Sequence, residues 1–369
     1  MIGGHGGNIY GLARQLGCQP QEICDMSANV NPLGPMPAMM AHLKSVLPVV
    51  TALPEVDAHE MVCTFARYYD VDPARVMAGN GTTQLIYLLP RALQSKKALV
   101  AGPTYADYED ACRMHQVNCR HLIGREADGF APDMALLREK AGAVDLVFLC
   151  NPNNPTGTLT PRSDIETLCR ARPDTVFVID ESYLPFAAHP ARDSLIGTDL
   201  SNVVVLNSMS KAFRIPGLRI GFAVTSRPVM ARLKPLAMPW TVNSLAQAAV
   251  QWLMTHPQAV NDFLAATRTL LASEKAGFTA TLARQSAMHC FPSATSFVLM
   301  RLPDGLTSAA AWRHMAEQRI LIRDCANFRG LSEAYIRVSL KGEAENQRAA
   351  DLLVQLCRAQ TGRKDIHGR

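Results

Sequence analysis

The chain has 369 residues, 48% of them hydrophobic, and a formal net charge of +5 at pH 7. Because this length exceeds what one small core can bury, we expect one large and one smaller domain. The modest positive charge suits an anionic small substrate but does not indicate nucleic acid as a partner. No apolar stretch approaches the roughly 18 residues of a membrane span, so we expect no membrane partner either.

The ten cysteines are dispersed along the chain, and no two of them form a Cys-x-x-Cys pair. None has metal-ligand spacing with histidine, so we expect no metal site. The sequence also shows no secretory signal peptide. We therefore expect free thiols and a cytoplasmic location, because a reducing compartment keeps cysteines reduced.

Short apolar runs predict the strands of a buried sheet. The runs are unbroken rather than alternating, which is typical of strands covered on both faces. Helical segments such as Ser163–Ala171 separate several of them, so we expect a mainly parallel sheet covered by helices. The last two runs are close in sequence, which favours an antiparallel pair at one edge. The runs are Ala98–Ala101, Leu146–Cys150, Val176–Asp180, Val203–Asn207 and Ile220–Val224.

From about residue 258 the pattern changes to that of a smaller α+β domain. Helical character covers Gln258–Arg284, Ser308–Gln318 and Gly342–Gln360. The strand-like pieces are Met288–Phe291, Ser296–Leu302, Ile320–Asp324 and Tyr335–Leu340. We therefore place a large domain at residues 31–255 and a small domain at residues 256–369.

Lys211 stands close to Ser208 and Ser210, and Arg219 follows eight residues later. An aldehyde cofactor that carries a phosphate needs such groups: a lysine to bond with the aldehyde, and hydroxyls and an arginine to hold the phosphate. A lysine taken alone is more often an ordinary surface residue. Its neighbours favour a cofactor site instead.

Asp180 and Asn154 each follow an apolar run closely. A carboxylate at the end of a parallel strand points into the crevice where such sheets bind ligands. The alternative for Asp180 is a helix cap. Asn154 lies in an Asn-Pro-rich segment, residues 151–157, which is also compatible with a simple turn.

The segment Gly79–Gln84 precedes an apolar helical run. Glycines followed by threonines at a helix start form a phosphate cradle from backbone N–H groups. The segment lacks the lysine of a nucleotide-binding P-loop and does not fit GxGxxG. A glycine-rich loop alone is weak evidence, so the segment by itself does not identify its ligand.

Together these motifs resemble the fold-type I, class I/II aminotransferase superfamily, from about residue 25 to about residue 355. The resemblance implies pyridoxal 5'-phosphate (PLP) as cofactor. The implied fold is α/β, with a mainly parallel seven-stranded sheet in the large domain and a small α+β C-terminal domain. An N-terminal arm, residues 1–30, would join the small domain. The resemblance also implies a homodimer with active sites at the subunit interface.

The resemblance assigns roles residue by residue. Lys211 would bond to the cofactor aldehyde, Asp180 would pair with the pyridine nitrogen, and Tyr183 would donate to the phenolate oxygen; these are the candidate catalytic residues. Tyr105 would stack on the pyridine ring, although a core tyrosine is an equal alternative. The implied cofactor-binding set is Gly81, Thr82, Thr83, Tyr105, Asn154, Asp180, Tyr183, Ser208, Ser210, Lys211 and Arg219.

Three segments, residues 5–10, 27–34 and 322–331, are most like the branch of the superfamily that decarboxylates L-threonine-O-3-phosphate in cobalamin biosynthesis. Arg337 would hold the substrate carboxylate; a surface-facing strand arginine is the alternative. Arg323, His5 and Asn31 would hold the phosphate; for His5, a purely structural role in the arm is the alternative. The implied substrate-binding set is His5, Asn31, Gly34, Asn154, Arg323 and Arg337.

Decarboxylation and transamination use the same Lys211, Asp180 and Tyr183, and the difference lies in substrate orientation. A histidinol-phosphate-type aminotransferase is therefore the first alternative, although Val30 replaces the glutamate usual there. We expect L-serine-O-phosphate, a near relative of the threonine compound, as a second substrate. A regulator that keeps the fold without turnover is a second alternative; the residues before the resemblance are too few for a helix-turn-helix.

Leu53 departs from the family pattern. Members usually have a tyrosine before the proline at this position, and that tyrosine reaches the phosphate of the cofactor in the partner subunit. Leu53 has no hydroxyl, so we expect a weaker hold on the phosphate.

Overall fold

The computed structural model of this chain describes residues 6–367, with side chains for residues 6–360. The helices are α1 Ile9–Leu16, α2 Pro37–Ser45, α3 His59–Tyr68, α4 Gly81–Ala92, α5 Asp107–Met114, α6 Met134–Ala141, α7 Arg162–Ala171, α8 Pro190–Asp193, α9 Met209–Ala212, α10 Arg227–Leu233, α11 Ser244–Thr255, α12 Pro257–Gln285, α13 Ser308–Glu317 and α14 Glu343–His367. The strands are β1 Cys24–Asp25, β2 Val76–Asn80, β3 Lys97–Gly102, β4 Asn118–Ile123, β5 Leu146–Cys150, β6 Val176–Asp180, β7 Val203–Ser208, β8 Ile220–Thr225, β9 His289–Cys290, β10 Phe297–Arg301, β11 Ile320–Leu321, β12 Arg323–Asp324 and β13 Tyr335–Ser339.

A seven-stranded sheet in the order β2-β8-β7-β6-β5-β3-β4 forms the centre of the larger part. Strands β4, β3, β5, β6 and β7 pair in parallel. Strand β8 is antiparallel to both β7 and β2. The predicted α/β fold with a mainly parallel seven-stranded sheet is therefore confirmed, and so is the antiparallel pairing near one edge.

Strands β5, β7 and β8 are buried along their whole length, and β6 is buried from Phe177 onward. Helices cover both faces of the sheet, so these strands carry apolar side chains on either side. The edge strands β2 and β4 contain Gly79, Asn80, Asn118 and Arg120, and their polar character kept them out of the sequence prediction.

A second, four-stranded sheet in the order β12-β13-β10-β9 is antiparallel. The prediction of one strand-like piece over Ile320–Asp324 is wrong in one respect. The chain changes sheets at Ile322: β11 pairs in parallel with β1, whereas β12 pairs with β13. The arm residues Cys24 and Asp25 thereby contact the C-terminal part of the chain. The domain boundaries themselves stay a prediction.

The carboxyl ends of the central strands meet at one edge of the large sheet. Cys150 at the end of β5 is in register with Asp180 at the end of β6, and Ser208 ends β7. This is the edge at which open α/β sheets bind ligands. In the described part of the chain, no helix is long and apolar enough to cross a membrane. All ten cysteines are free thiols.

Candidate active site

Asp180 is buried at the end of β6 and is surrounded by hydrogen-bond donors. Its Oδ1 accepts from the backbone N–H of Ser182 at 3.0 Å and from the Ser182 hydroxyl at 2.5 Å. Its Oδ2 accepts from the Tyr108 hydroxyl at 2.8 Å. Burial nevertheless raises the pKa of Asp180, because desolvation outweighs these hydrogen bonds and the attraction of Lys211.

Lys211 projects from α9, the short helix that follows β7. Burial is the main cause that lowers the pKa of its ammonium group to about 8, and the charges of Arg219 and Arg337 act in the same direction. The amine therefore becomes neutral at a lower pH than that of an exposed lysine. Only a neutral amine attacks an aldehyde, so the site prepares Lys211 for that reaction.

The N-terminus of α4 and Arg219 form an anion-binding corner. Gly81 opens the helix with φ +73°, and a Cβ added there would lie 2.6 Å from Nη2 of Arg219. A Cβ on Gly221 would lie 2.5 Å from the backbone nitrogen of Thr82, so β8 also approaches this turn closely. Backbone N–H groups at the helix start, with a guanidinium above them, suit a phosphate.

Two other predicted residues, Tyr183 and Tyr105, line both this site and the cavity that adjoins it. Tyr183 accepts a 3.2 Å hydrogen bond from Nδ2 of Asn29, and burial raises the pKa of its hydroxyl to about 12. Tyr105 meets Tyr108 edge to face, with ring centroids 5.8 Å apart.

One cavity brings together all eleven predicted cofactor-binding residues. Its further lining residues, which the sequence reasoning missed, are Tyr108, Cys150 and Ser182. Tyr108 lies on α5, three residues after Tyr105, which precedes the helix.

Arg337 is buried in β13, and its guanidinium donates two hydrogen bonds. Its Nη1 donates to Oδ1 of Asn154, and its Nη2 donates to the carbonyl of Ser27 at 2.7 Å. Its Nε is buried without a hydrogen-bond partner among the described residues. Burial lowers the pKa of the guanidinium to about 10, which leaves the group charged at neutral pH. A buried cation with an unused donor fits a carboxylate ligand.

A second cavity of about 220 Å³ adjoins the first and contains Arg337, Asn154 and Arg323. It shares Lys211, Tyr105, Asn154 and Tyr183 with the first cavity. Arg323 donates to Oδ1 of Asn327 at 2.7 Å, and its guanidinium carbon lies 4.9 Å from the centroid of the Phe328 ring. Two arginines therefore face one cavity beside the candidate nucleophile.

The structure does not bring every predicted substrate residue into this cavity. His5 lies outside the described residues. Asn31 is fully buried and donates to the carbonyl of Ala212 and the hydroxyl of Thr267, each at 2.8 Å. The backbone N–H of Asn31 donates to the carbonyl of Lys211, so Asn31 stabilises the backbone of that residue. Gly34, with φ +87°, does not line the cavity.

Asn29, which was not predicted, lines the substrate cavity where Asn31 does not. It donates to Tyr183 and accepts from the Ser339 hydroxyl at 2.6 Å. Ser27 contributes a backbone carbonyl to Arg337. A main-chain atom carries no sequence signature, and alternate asparagines in the segment 27–31 point in directions that only the backbone decides.

The site and fold define a class of protein. The family model described as aminotransferase class I and II matches residues 21–353, so the chain belongs to that family. PLP is the cofactor of this family, and the residues present fit it: a buried carboxylate for the ring nitrogen, a helix N-terminus with an arginine for the phosphate, and a lysine of lowered pKa for the aldehyde.

Individual relatives narrow the class. The chain is 33% identical to the threonine-phosphate decarboxylase of Salmonella typhimurium over 362 residues, which cover 97% of each protein. It is similar to the crystal structure of L-threonine-O-3-phosphate decarboxylase from Porphyromonas gingivalis, with a TM-score of 0.80 and 33% identity, covering 90% of this chain and 98% of that one. It is also 29% identical to the histidinol-phosphate aminotransferase of Chlorobium luteolum over 307 residues, 83% of each protein.

Proposed function

We propose that this protein is a PLP-dependent carboxy-lyase that decarboxylates L-threonine-O-3-phosphate to (R)-1-aminopropan-2-yl phosphate, with L-serine-O-phosphate as a second substrate. The observation that carries the proposal is the pair Arg337 and Arg323, which face one cavity beside Lys211. A phosphorylated amino acid has two anionic groups, and each arginine suits one of them. The pathway proposed for the product is cobalamin biosynthesis, as the sequence resemblance implies.

The cofactor-binding residues have separable tasks. When bound, PLP supplies an electron sink for the bond that breaks at the substrate Cα. Asp180 would hold a proton on the ring nitrogen, while Arg219, Ser208, Ser210 and the start of α4 would bind the phosphate. Lys211 would hold the cofactor and would be the group that returns a proton to the substrate Cα after the carboxylate has left.

The substrate-binding residues orient the bond that breaks. Arg337 binds the carboxylate with a guanidinium whose direction is set by Asn154 and the Ser27 carbonyl. Arg323 binds the phosphate, and Asn29 holds the Tyr183 hydroxyl in place. Anchoring a substrate at both ends limits its rotation, and this rotation decides whether the carboxylate or the hydrogen on Cα leaves. Roles for His5, Asn31 and Gly34 in binding remain part of the sequence prediction.

The experiment is a product assay on the PLP-loaded protein. Incubation with L-threonine-O-3-phosphate should release carbon dioxide without any added 2-oxo acid. Lys211→Ala should abolish both this release and the visible absorbance of the covalently bound cofactor. Turnover retained in Lys211→Ala would remove this residue from its proposed role.

A histidinol-phosphate-type aminotransferase is the second candidate, favoured by the 29% identity to the Chlorobium enzyme. The two candidates differ in stoichiometry. An aminotransferase consumes one 2-oxo acid for each amine it converts and releases no carbon dioxide. Histidinol phosphate turned over only with 2-oxoglutarate would support this second candidate and refute the first.

We further propose that the protein is a homodimer. Exposed apolar side chains cluster on two neighbouring segments, residues 47–56 and 238–240. Leu53 and Met238, one from each segment, are 77% and 61% exposed. The segments are joined where the backbone N–H of Trp240 donates to the carbonyl of Val56 at 2.8 Å. Such a surface favours a protein partner over water.

This surface reaches the cofactor cavity. Gln84, which follows Thr83, accepts a 3.0 Å hydrogen bond from Thr241 next to Trp240. Light scattering should show twice the chain mass for the wild type. Trp240→Asp should shift the protein toward monomer and weaken PLP binding. A wild-type protein that is monomeric at micromolar concentration would refute the dimer.

A further inference from the structure

Residues 325–331, which we call the cavity loop, form part of the wall of the substrate cavity. Asn327 and Phe328 of the loop line the cavity of about 220 Å³ that contains Arg323. The same two residues also line a separate cavity of about 340 Å³, which reaches Glu109 and His121. The position of the loop therefore determines the shape of the substrate cavity.

The cavity loop is tied to α5 by a two-pronged ion pair. Nε of Arg329 donates to Oε2 of Glu109 at 3.2 Å, and Nη2 donates to Oε1 at 2.7 Å. This fork arrangement is the most directional of the charged pairs available to proteins. Nε2 of His121, on β4, lies 3.4 Å from the same carboxylate.

The loop backbone also lies directly on the edge strand of the large sheet. Gly330 has φ +93°, and a Cβ added there would lie 2.5 Å from Cγ2 of Ile123. A side chain at this position would therefore require Ile123 to move. The loop thus rests on β4 through Gly330 and is held to α5 through the adjacent Arg329.

Movement of the loop would change the position of Arg323, the residue that we propose binds the substrate phosphate. Arg323 lies two residues before the loop in sequence and contacts it twice, through the hydrogen bond to Asn327 and over the ring of Phe328. Arg323 is one of the two arginines on which the proposed substrate depends. A loop that swings away from α5 would therefore withdraw support from its guanidinium.

We propose that Glu109 and Arg329 are positioning residues that latch the cavity loop against α5 and thereby set the affinity for the phosphate end of the substrate. Neither residue lines the substrate cavity. The inference rests on the proposed function in one respect, namely that the ligand of that cavity is a phosphorylated amino acid.

The sign of one substitution separates a latch from a simple charge effect. Glu109→Gln removes a negative charge near an anion-binding cavity, so electrostatics alone would leave substrate binding unchanged or improve it. A latch predicts the opposite, namely weaker substrate binding in Glu109→Gln. KM for L-threonine-O-3-phosphate should rise about two- to fivefold, with kcat within about twofold. An ion pair as exposed as this one changes a binding constant by no more than about fivefold.

A charge exchange supplies the rescue. Arg329→Glu places two carboxylates opposite each other and should raise KM about tenfold. The double variant Glu109→Arg with Arg329→Glu restores opposite charges and should return KM to within about threefold of the wild type. Arg170→Glu is the matched control. The Arg170 side chain pairs with Glu166 on α7 and is 61% exposed, close to the 60% of Arg329. This control should leave KM unchanged.

Hydrogen exchange tests the latch without any turnover. Backbone N–H groups of Phe328 and Leu331 donate within the loop, to Cys325 and Phe328 respectively. Peptides covering residues 325–331 should exchange severalfold faster in Glu109→Gln and Arg329→Glu than in the wild type or Arg170→Glu.

Two results would overturn the latch: unchanged exchange in both variants, or a KM that stays constant or falls in Glu109→Gln. Failure of the proposed function gives a different pattern, with no carbon dioxide from the wild type while the exchange comparison still reports on the loop.

Discussion

The Tyr108 hydroxyl donates a 2.8 Å hydrogen bond to Oδ2 of Asp180 inside the cofactor cavity. Both residues are buried, and the Tyr108 ring is stacked on Phe148 with centroids 5.1 Å apart. The hydrogen bond favours the ionised carboxylate, which burial disfavours. Tyr108 therefore helps to keep Asp180 ionised, which is the charge state that its proposed pairing with a protonated pyridine nitrogen requires.

Tyr108→Phe should weaken PLP binding about tenfold, because a hydrogen bond to a charged group contributes about 1.5 kcal/mol or more. Titration of the apoprotein with PLP, followed by visible absorbance, measures the change. Tyr87→Phe, on the neighbouring helix α4, is the control and should bind PLP like the wild type. Equal PLP affinity in Tyr108→Phe would show that Ser182 alone sustains the carboxylate.

The lowered pKa of Lys211 predicts how the stability of the apoprotein depends on pH. Burial, with Arg219 and Arg337 nearby, lowers the pKa from 10.5 to about 8. Between these values the unfolded chain binds more protons than the folded one, so stability rises with pH across this window. Below pH 8 the lysine is protonated in both states, and the folded protein bears the full cost of the buried charge.

Lys211→Met lacks this cost and should be the more stable apoprotein at pH 7. Its advantage in the free energy of unfolding should shrink as the pH rises from 8 toward 10.5. Urea unfolding of both apoproteins at several pH values measures the difference, in which shared titrating groups cancel. A difference independent of pH over that window would contradict the buried, depressed amine.

Gly81→Ala tests the anion-binding corner. The new methyl group would meet Arg219 at 2.6 Å, on a backbone whose φ of +73° already disfavours a side chain. We expect PLP affinity to fall at least about tenfold, since a displacement of the guanidinium costs charged hydrogen bonds.

Gly129→Ala is the matched control for backbone strain. Gly129 has φ +61° with nothing within 4 Å of an added Cβ. Both variants should lose similar stability, of about 1 kcal/mol. Only Gly81→Ala should lose cofactor affinity, and an equal loss in both would show that strain alone is responsible.

Leu53→Tyr tests the departure from the family pattern. Leu53 is 77% exposed on the surface that we propose as a dimer interface. A tyrosine there should tighten PLP binding severalfold, by one hydrogen bond to the phosphate of the partner's cofactor. Leu53→Phe adds the ring without the hydroxyl and should not tighten binding. Unchanged affinity in Leu53→Tyr would count against the predicted weaker hold.

The buried strands were the part of the fold that the sequence predicted best. Strands β5 and β6 have the predicted bounds, because unbroken apolar runs leave few alternatives for such segments. The split of β11 from β12 was not predictable, since the change of sheet at Ile322 depends on which partners the arm and β13 offer. Tertiary pairing, rather than local composition, decides such a break.

Residues that line the candidate site could be inferred from sequence where they stand at a strand end or in a short motif, as Asp180 and Arg219 do. Asn29 and Tyr108 escaped because their roles depend on side-chain direction across an interface between distant segments. The latch residue Glu109 escaped for a similar reason, since its partner Arg329 is 220 residues away. Long-range pairs of this kind leave no periodic trace in one sequence.

The most direct test of the account measures both products of one reaction. The PLP-loaded protein receives carboxyl-labelled L-threonine-O-3-phosphate without any 2-oxo acid, and labelled carbon dioxide and (R)-1-aminopropan-2-yl phosphate are quantified together. We predict equal amounts of both products over many turnovers, and loss of both in Lys211→Ala. No labelled carbon dioxide from the wild type, with conversion only after 2-oxoglutarate is added, would contradict the account.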